Sequence, residues 1–218
     1  MKMADRREVI VFDIDKTLIH QNLHEFLIDP WSVETPYRRL ITRFVAGFRR
    51  ACFFPFIQRR LEYLVTAFIS EQQLHELTLR ILSESGHVHS DLVRRIGRYK
   101  RYRYPVILVS ATPERVARPL ARQLGASVYA SKCICGVLTR DLLAKKRSVY
   151  LLMEKNALDI RTVYSDSHLD FWDHSNSFLN QTHRFDSNGD CAISHSRLAR
   201  GGGDNYGCIG IWRSLFRL

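Results

Sequence analysis

Residues 9–18 read VIVFDIDKTL, and this stretch decides the fold class. Its first four residues form an apolar run rich in β-branched side chains, which is typical of a buried strand in a parallel sheet. The run ends at two carboxylates one residue apart, Asp13 and Asp15. Because ligands of open α/β sheets bind beyond the carboxyl ends of the strands, the pattern predicts a site there. The alternative is that the two acids only shape a strand-to-helix turn, where aspartate is common.

Two carboxylates this close repel each other unless a cation lies between them or one of them keeps its proton. Mg²⁺, which prefers oxygen ligands, would remove that repulsion. Asp13 can attack a phosphorus atom as a carboxylate nucleophile. Asp15 can protonate the leaving oxygen and later activate a water molecule, and Thr17 can orient Asp15 by a hydroxyl hydrogen bond. These residues therefore indicate phosphoryl transfer.

The composition allows a sizeable core and points to an anionic partner. A chain of 218 residues with 45% hydrophobic residues fits one domain with a substantial insertion, or two small domains. The formal charge of +11 indicates attraction to a phosphorylated substrate, nucleic acid or acidic lipid. No apolar stretch approaches the ~18 residues of a membrane span, and five scattered cysteines favour a reducing compartment. We therefore expect a cytoplasmic protein, with peripheral attachment to a membrane as an option.

Residues 20–103 carry no strand-like pattern. Apolar residues recur at helical spacing around 40–52 and 61–69, and further helices are predicted at 71–83 and 90–101. We interpret the whole block as a helical insertion after the first strand.

The insertion contains two basic segments. In the first, arginines between Arg38 and Arg50 interleave with large apolar residues, and Phe53-Phe54-Pro55-Phe56 follows. Such a helix can lie in the headgroup layer of an anionic membrane. We favour an ordinary helix whose aromatic face packs inside the insertion, because globular helices generally show amphipathic stripes. The second segment, residues 94–103, interleaves basic residues with tyrosines, but no recognised nucleic-acid-binding motif accompanies it, which disfavours nucleic acid as a partner.

A second apolar strand, Pro105 to Ser110, ends in a hydroxyl. Thr112 fits a helix N-cap and Pro113 the first helical position, so the sequence predicts a helix from there toward Gly125. The hydroxyl of Ser110 and the free N–H groups of that helix would form a phosphate-binding position.

The remaining elements are shorter. A strand is predicted at 127–131, a small hairpin at 133–139, and a helix that opens at Lys145-Lys146-Arg147 and runs to about Leu158. A strand from Arg161 to Ser165 again ends in acids, Asp166 and Asp170. Residues 182–194, around Asn188-Gly189, predict a closing hairpin.

The order of these motifs resembles that of the haloacid dehalogenase (HAD) superfamily of phosphatases. Asp13-x-Asp15-x-Thr17 resembles its first motif, although most members have glycine in place of Lys16. Ser110 matches the second motif and Lys146 the third, with Lys145 as the alternative. Asp166 and Asp170 resemble the fourth, usually Gly-Asp-Ser-x-x-Asp, with Ser165 in place of glycine.

The resemblance implies an α/β fold: a Rossmann-like, three-layer core with a mainly parallel sheet and an inserted helical cap of the C1 type. The core would comprise residues 1–19 and 104–195, the cap residues 20–103, and a glycine-rich linker and basic tail residues 196–218.

The resemblance also implies the site. Asp13 would be the nucleophile and Asp15 the acid/base, while Ser110, Lys146 and Thr17 would bind phosphate. Mg²⁺ would be held by Asp13, the backbone carbonyl of Asp15 and Asp166, with Asp170 in a supporting role.

The implied activity is hydrolysis of a small-molecule or lipid phosphomonoester. The cap position resembles the phosphoserine-phosphatase-like subclass (subclass IB). Within it, the basic lid and residues 164–167 are similar to bacterial phosphatidylglycerophosphatase C, so a lipid phosphatase acting at the membrane surface is one alternative. The other is a basic binding module whose site has decayed at Lys16 and Ser165.

Overall fold

The computed structural model describes residues 7–51, 55–84, 86–134, 137–143, 146–166, 181–185 and 191–194. The strands in these ranges are β1 (Arg7–Phe12), β2 (Val106–Pro113), β3 (Ser127–Ile134), β4 (Val137–Arg140), β5 (Leu158–Ser165), β6 (Gln181–Phe185) and β7 (Cys191–Ser194). They form one sheet in the order β4-β3-β2-β1-β5-β6-β7. The first strand of the sequence therefore lies at the centre.

The five inner strands of this sheet are parallel. β1 pairs with β2 and β5, β2 also pairs with β3, and β5 with β6. The two outer strands, β4 and β7, run antiparallel to their neighbours. The two hairpins predicted from the sequence are thus confirmed, although their turn residues lie outside the described part of the chain.

Both faces of β1 are buried, which explains its unbroken apolar sequence. Ile10 and Phe12 enter an apolar cluster on one face of the sheet, and Val9 and Val11 enter a second cluster on the other. Alternate residues of a strand point to opposite faces, so a strand covered by helices on both sides must be apolar throughout. The predicted α/β class, with a mainly parallel sheet between two helical layers, is confirmed.

The described helices are α1 (Leu23–Val33), α2 (Pro36–Ala51), α3 (Pro55–Thr66), α4 (Glu71–Ser83), α5 (Ser90–Arg101), α6 (Glu114–Leu124) and α7 (Lys146–Lys155). Five of them form the predicted helical insertion between β1 and β2. The sequence singles out all of them except α1.

The inserted helices share their apolar core with the sheet. Leu27 of α1, Ile81 of α4 and Ile96 of α5 belong to the same buried cluster as Phe12 of β1. The division into a core and a cap at residues 19 and 104 remains a prediction. Separating the two units would expose this shared cluster.

The outward face of α2 differs from the interpretation favoured on sequence. Leu40, Phe44 and Phe48 are 67%, 72% and 52% exposed, so the aromatic face does not pack inside the insertion. Val45, on another side of the helix, packs against the core cluster. The apolar periodicity predicted the helix correctly but assigned the wrong face to the interior.

Two boundaries also differ from the predicted ones. β2 continues to Pro113, and α6 begins at Glu114 with Pro113 as its N-cap, so Thr112 is a strand residue. α7 ends at Lys155, and Leu158 opens β5 where the sequence predicted the end of a helix.

In the second basic segment, the tyrosines serve mainly as packing residues. The hydroxyls of Tyr99 and Tyr164 lie 2.7 Å apart, and the Tyr99 ring meets that of Tyr104 edge to face. Tyr99 and Tyr104 are therefore engaged in packing contacts, whereas Tyr102 is 76% exposed, and the absence of a nucleic-acid partner stays a prediction.

None of the described helices combines the length and apolar character needed to span a membrane. The predicted linker and tail, residues 196–218, lie outside the described residues.

Candidate active site

Three neighbouring strands bring the predicted site residues to one edge of the sheet. Asp13 directly follows β1, Ser110 lies near the end of β2, and Asp166 directly follows β5. Because β2, β1 and β5 are adjacent and parallel, their carboxyl ends meet. The backbone N–H of Asp13 donates to the carbonyl of Tyr164 at 2.8 Å, which joins the ends of β1 and β5 directly.

Asp13 is buried and paired with a lysine. Its side chain is 6% exposed, and the ammonium of Lys146 donates to its Oδ2 at 2.7 Å. Its Oδ1 accepts from the N–H of Ile14 at 2.8 Å, and the hydroxyl of Ser165 lies 3.4 Å from Oδ2. Lys146 reaches this position from the first residue of α7. Lys145 lies outside the described residues.

Asp15 is held by hydroxyls of β2. The hydroxyl of Ser110 donates to Oδ2 at 2.7 Å, and that of Thr112 lies 3.0 and 2.8 Å from Oδ1 and Oδ2. The N–H of Leu23, at the start of α1, donates to Oδ1 at 2.8 Å. Ser110, predicted to bind phosphate, thus contacts the second aspartate here.

Thr17 joins the first acidic motif to the last. The sequence predicts that Thr17 orients Asp15, whereas its hydroxyl accepts from the N–H of Asp166 at 2.9 Å and lies 3.3 Å from Asp166 Oδ1. The hydroxyl that contacts the Asp15 carboxylate, a role that the sequence assigned to Thr17, belongs to Thr112. Asp166 thus comes to the same edge as Asp13, and Asp170 lies outside the described residues.

Lys16 occupies the turn in a left-handed conformation. Its φ is +59°, a region that glycine enters without steric cost. The backbone at this position therefore has the conformation for which glycine is suited, although the residue is lysine. The turn between the two aspartates is preserved despite the substitution noted in the sequence.

A second network ties the inserted helices to the site. Arg59 of α3 forms two contacts of 3.1 Å with the carboxylate of Asp141, and its Nη2 lies 2.6 Å from the hydroxyl of Tyr63. That hydroxyl donates to the carbonyl of Ala111 at 2.8 Å. Ala111 stands between Ser110 and Thr112, so α3 is anchored to the segment that holds Asp15.

Sequence reasoning missed the roles of Thr112, Arg59 and Tyr63. A signal for Thr112 existed: residues 110 and 112 of an extended strand point to the same side, so a longer β2 places both hydroxyls together. Nothing local indicates the contact between Arg59 and Asp141, which are 82 residues apart in the chain.

We expect Thr112→Val to lower kcat about ten-fold and to change KM little, because valine keeps the shape but loses a hydrogen bond to a charged group. Steady-state kinetics on the best substrate of the chain would measure this, and Thr112→Ser should restore most of kcat. Thr78→Val is the matched control, since Thr78 is also fully buried but its hydroxyl bonds a carbonyl within α4. An equal loss in the control would mean that Thr112 acts through stability alone.

The donor set suits a hard divalent cation. Within the described ranges, no three histidine, cysteine or acidic side chains are grouped as a ready-made metal site. Mg²⁺ is nevertheless commonly held by one or two carboxylates, with waters and substrate phosphate completing the shell. Asp13 and Asp166, at the carboxyl ends of adjacent parallel strands, supply two carboxylates and so fit that requirement, while the Asp15 side chain is engaged by β2.

The phenol beneath the site stays neutral. Burial, followed by the hydrogen bond with Tyr99, raises the pKa of Tyr164 well above its usual value. Its ring stacks on Phe12 at 4.4 Å between centroids. Tyr164 therefore serves as apolar support under the ends of β1 and β5 and adds no charge at neutral pH.

Fold and site together define a Rossmann-like α/β protein with acids and a lysine gathered at the ends of its central strands. The family model described as haloacid dehalogenase-like hydrolase matches residues 10–171. The chain belongs to this family, and the resemblance noted in the sequence is confirmed at that level. A comparison with curated proteins gives no match.

Solved structures share the fold at low sequence identity. A phosphoserine phosphohydrolase-like protein from Francisella tularensis is 16% identical, with a TM-score of 0.53 over 82% of this chain and 87% of that one. A protein of unknown function from Bordetella pertussis is 19% identical, with a TM-score of 0.54 over 75% of this chain and 84% of that one. A HAD family hydrolase from Salmonella enterica is 14% identical, with a TM-score of 0.53 over 75% and 57%.

Proposed function

We propose that this chain is a Mg²⁺-dependent phosphatase that hydrolyses a phosphate monoester through an aspartyl-phosphate on Asp13. The contact between Lys146 and Asp13, beside an Asp15 held by two hydroxyls, carries the proposal. Membership of a hydrolase family supports it and argues against the alternative of a decayed binding module.

In the first step, a carboxylate oxygen of Asp13 attacks phosphorus and the ester oxygen leaves. Asp15 gives that oxygen a proton, so the product departs as an alcohol. In the second step, Asp15 takes a proton from the water that attacks the aspartyl-phosphate, which releases phosphate, restores the carboxylate of Asp13 and leaves Asp15 protonated for the next cycle. The acid of the first step thus becomes the base of the second.

Positive charge and hydrogen-bond donors are needed at the transferring phosphoryl group. Lys146 is directed at Asp13 and would balance negative charge on the carboxylate and the phosphoryl oxygens. Ser110 would exchange its contact with Asp15 for one with phosphate, while Thr112 continues to orient Asp15. Asp166 would bind the cation, and Thr17 would position Asp166 through its hydroxyl. Asp170 would keep the supporting role at the metal that the sequence predicts.

Asp13, Asp166 and the carbonyl of Asp15 would hold Mg²⁺, which would supply positive charge to neutralise the phosphoryl oxygens. It would also separate carboxylates that otherwise repel one another.

We propose two candidate substrate classes. A small-molecule phosphomonoester, as in the phosphoserine-phosphatase-like subclass, is the first candidate, with the chain acting in the cytoplasm. A lipid phosphomonoester such as phosphatidylglycerophosphate is the second, and it is favoured by the exposed apolar face of α2.

We expect phosphate release from at least one member of a panel of small phosphomonoesters and lipid phosphates, and we expect that release to require Mg²⁺. The panel should be assayed with Mg²⁺, with EDTA, and with EDTA followed by excess Mg²⁺. Restoration in the third assay separates a metal requirement from irreversible damage. Activity that is unchanged in EDTA, or inactivity across the whole panel, would contradict the proposal.

A further inference from the structure

The outward face of α2 displays a continuous row of large apolar side chains. Tyr37, Leu40, Phe44 and Phe48 follow one another at intervals of three and four residues, and they are between 52% and 72% exposed. The rings of Phe44 and Phe48 stack at 6.5 Å between centroids. At 100° per residue, these four positions cover an arc of about 80°, so they form one face.

The same helix carries only positive charge. The 16 residues of α2 include five arginines and no aspartate or glutamate. Arg39 and Arg43 are exposed and lie beside the apolar row on the side of Leu40. Arg38 is directed elsewhere, since it pairs with Glu34 and lies over the ring of Trp31. The exposed surface of α2 is therefore an apolar row with a basic edge.

The side of α2 next to the apolar row is used by the fold. Val45 packs against the core cluster, and α2 contacts α1 and α3. The helix already packs against the core through this side, so the apolar row is not the surface by which α2 joins the fold. An exposed row of this size needs another explanation.

We propose that α2 docks on the surface of an anionic lipid bilayer, with Tyr37, Leu40, Phe44 and Phe48 entering the boundary between headgroups and acyl chains. Arg39 and Arg43 would contact the anionic headgroups. An apolar face flanked by arginines on a helix without acids is the pattern of helices that lie in the plane of the interface.

Charge disfavours the other occupants. A second copy of a chain with a formal charge of +11 would bring two arginine-rich helices together, with no acid in either. The last 24 residues, 195–218, contain four arginines and one acid, Asp204, so they repel rather than complement α2. An anionic surface satisfies both the apolar row and its basic edge.

The docking can be tested by flotation of the full chain with vesicles of phosphatidylcholine, alone or mixed with phosphatidylglycerol. An Asp13→Asn background makes the result independent of turnover. We expect binding to the mixed vesicles that weakens as salt is raised. Leu40→Ser/Phe44→Ser should lower the partition coefficient at least about ten-fold, and Arg39→Glu/Arg43→Glu should lower it by a similar factor or more.

Matched controls change the same residue types elsewhere. Leu79→Ser/Leu143→Ser alters two other exposed leucines, and Arg98→Glu/Arg101→Glu alters two exposed arginines of α5. Both should bind nearly as well as the parent chain. The three native tryptophans give a background emission, so the readout is the difference between Phe44→Trp and the parent chain. The added emission should shift to the blue and be quenched by brominated lipid, which reports insertion at α2 itself.

Three outcomes would overturn the proposal. In the first, the parent chain does not float with anionic vesicles. In the second, the α2 variants bind as well as the controls do. In the third, Leu40→Ser/Phe44→Ser changes the oligomeric state without lipid, and a second copy covers the face instead. Each is distinct from failure of the proposed phosphatase, because none depends on phosphate release.

Discussion

We expect Asp13→Asn to release phosphate at least about 10⁴-fold more slowly than the native chain while keeping its fold. Asparagine retains an oxygen to accept the N–H of Ile14, but it has no carboxylate to attack phosphorus. The substitution also removes one of the acids gathered at the strand ends, which lowers their mutual repulsion. Phosphate release and the circular dichroism spectrum, measured on the same preparation, would check both parts.

The matched control is Asp29→Asn, which alters an exposed aspartate of α1 away from the site. This variant should keep the native rate. If Asp13→Asn retained a substantial fraction of activity after its purity had been checked, the nucleophile would have to be another group. If it lost its structure, the loss of activity would not identify a nucleophile, and trapping of the aspartyl-phosphate in the native chain would decide.

The central sheet was predictable because its signals are local. β1 carries an unbroken apolar run, the last four residues of β5 are buried, and each strand stops at an acid beyond its carboxyl end. An unbroken apolar run requires cover on both faces, which a helix-covered parallel sheet provides. The same reasoning predicted that Asp13, Ser110 and Asp166 come to one edge.

The orientation of α2 was not predictable because periodicity identifies a stripe without saying what covers it. A stripe of Leu40, Phe44 and Phe48 fits either a buried face or a face that meets a membrane. Tertiary packing decides, and here Val45 and not Phe44 contacts the core.

The hydroxyl that orients Asp15 was missed because the end of β2 is set by a distant partner. Pro113 pairs with Ser131 of β3 after a register shift between Ser110 and Pro113, so Thr112 lies in an irregular part of the strand and not at a helix start. Local signals, a threonine followed by proline, favour a helix start at that point. Long-range pairing overrides them, and the two hydroxyls on one side of the strand follow from it.

We expect Lys146→Met to lower the free energy of unfolding by about 3 kcal/mol in the absence of divalent cations. Lys146 and Asp13 are 12% and 6% exposed, so removal of the ammonium leaves a buried carboxylate without this cation. A lysine in the first turn of a helix is repelled by the positive end of the helix dipole. The ion pair with Asp13 offsets this repulsion at the start of α7. The loss should be visible in urea unfolding, and kcat should fall at least about 100-fold.

A double-mutant cycle separates this pair from a general effect of the substitution. Asp13→Asn/Lys146→Met removes both charges. The free energy of unfolding that it loses should be smaller than the sum of the two single losses by at least about 1 kcal/mol. Lys155→Met alters an exposed lysine of the same helix and should cost little. Strictly additive losses would mean that the 2.7 Å contact contributes no coupling in solution. Mg²⁺ should restore part of the stability of Lys146→Met, because a second cation then faces the same carboxylates.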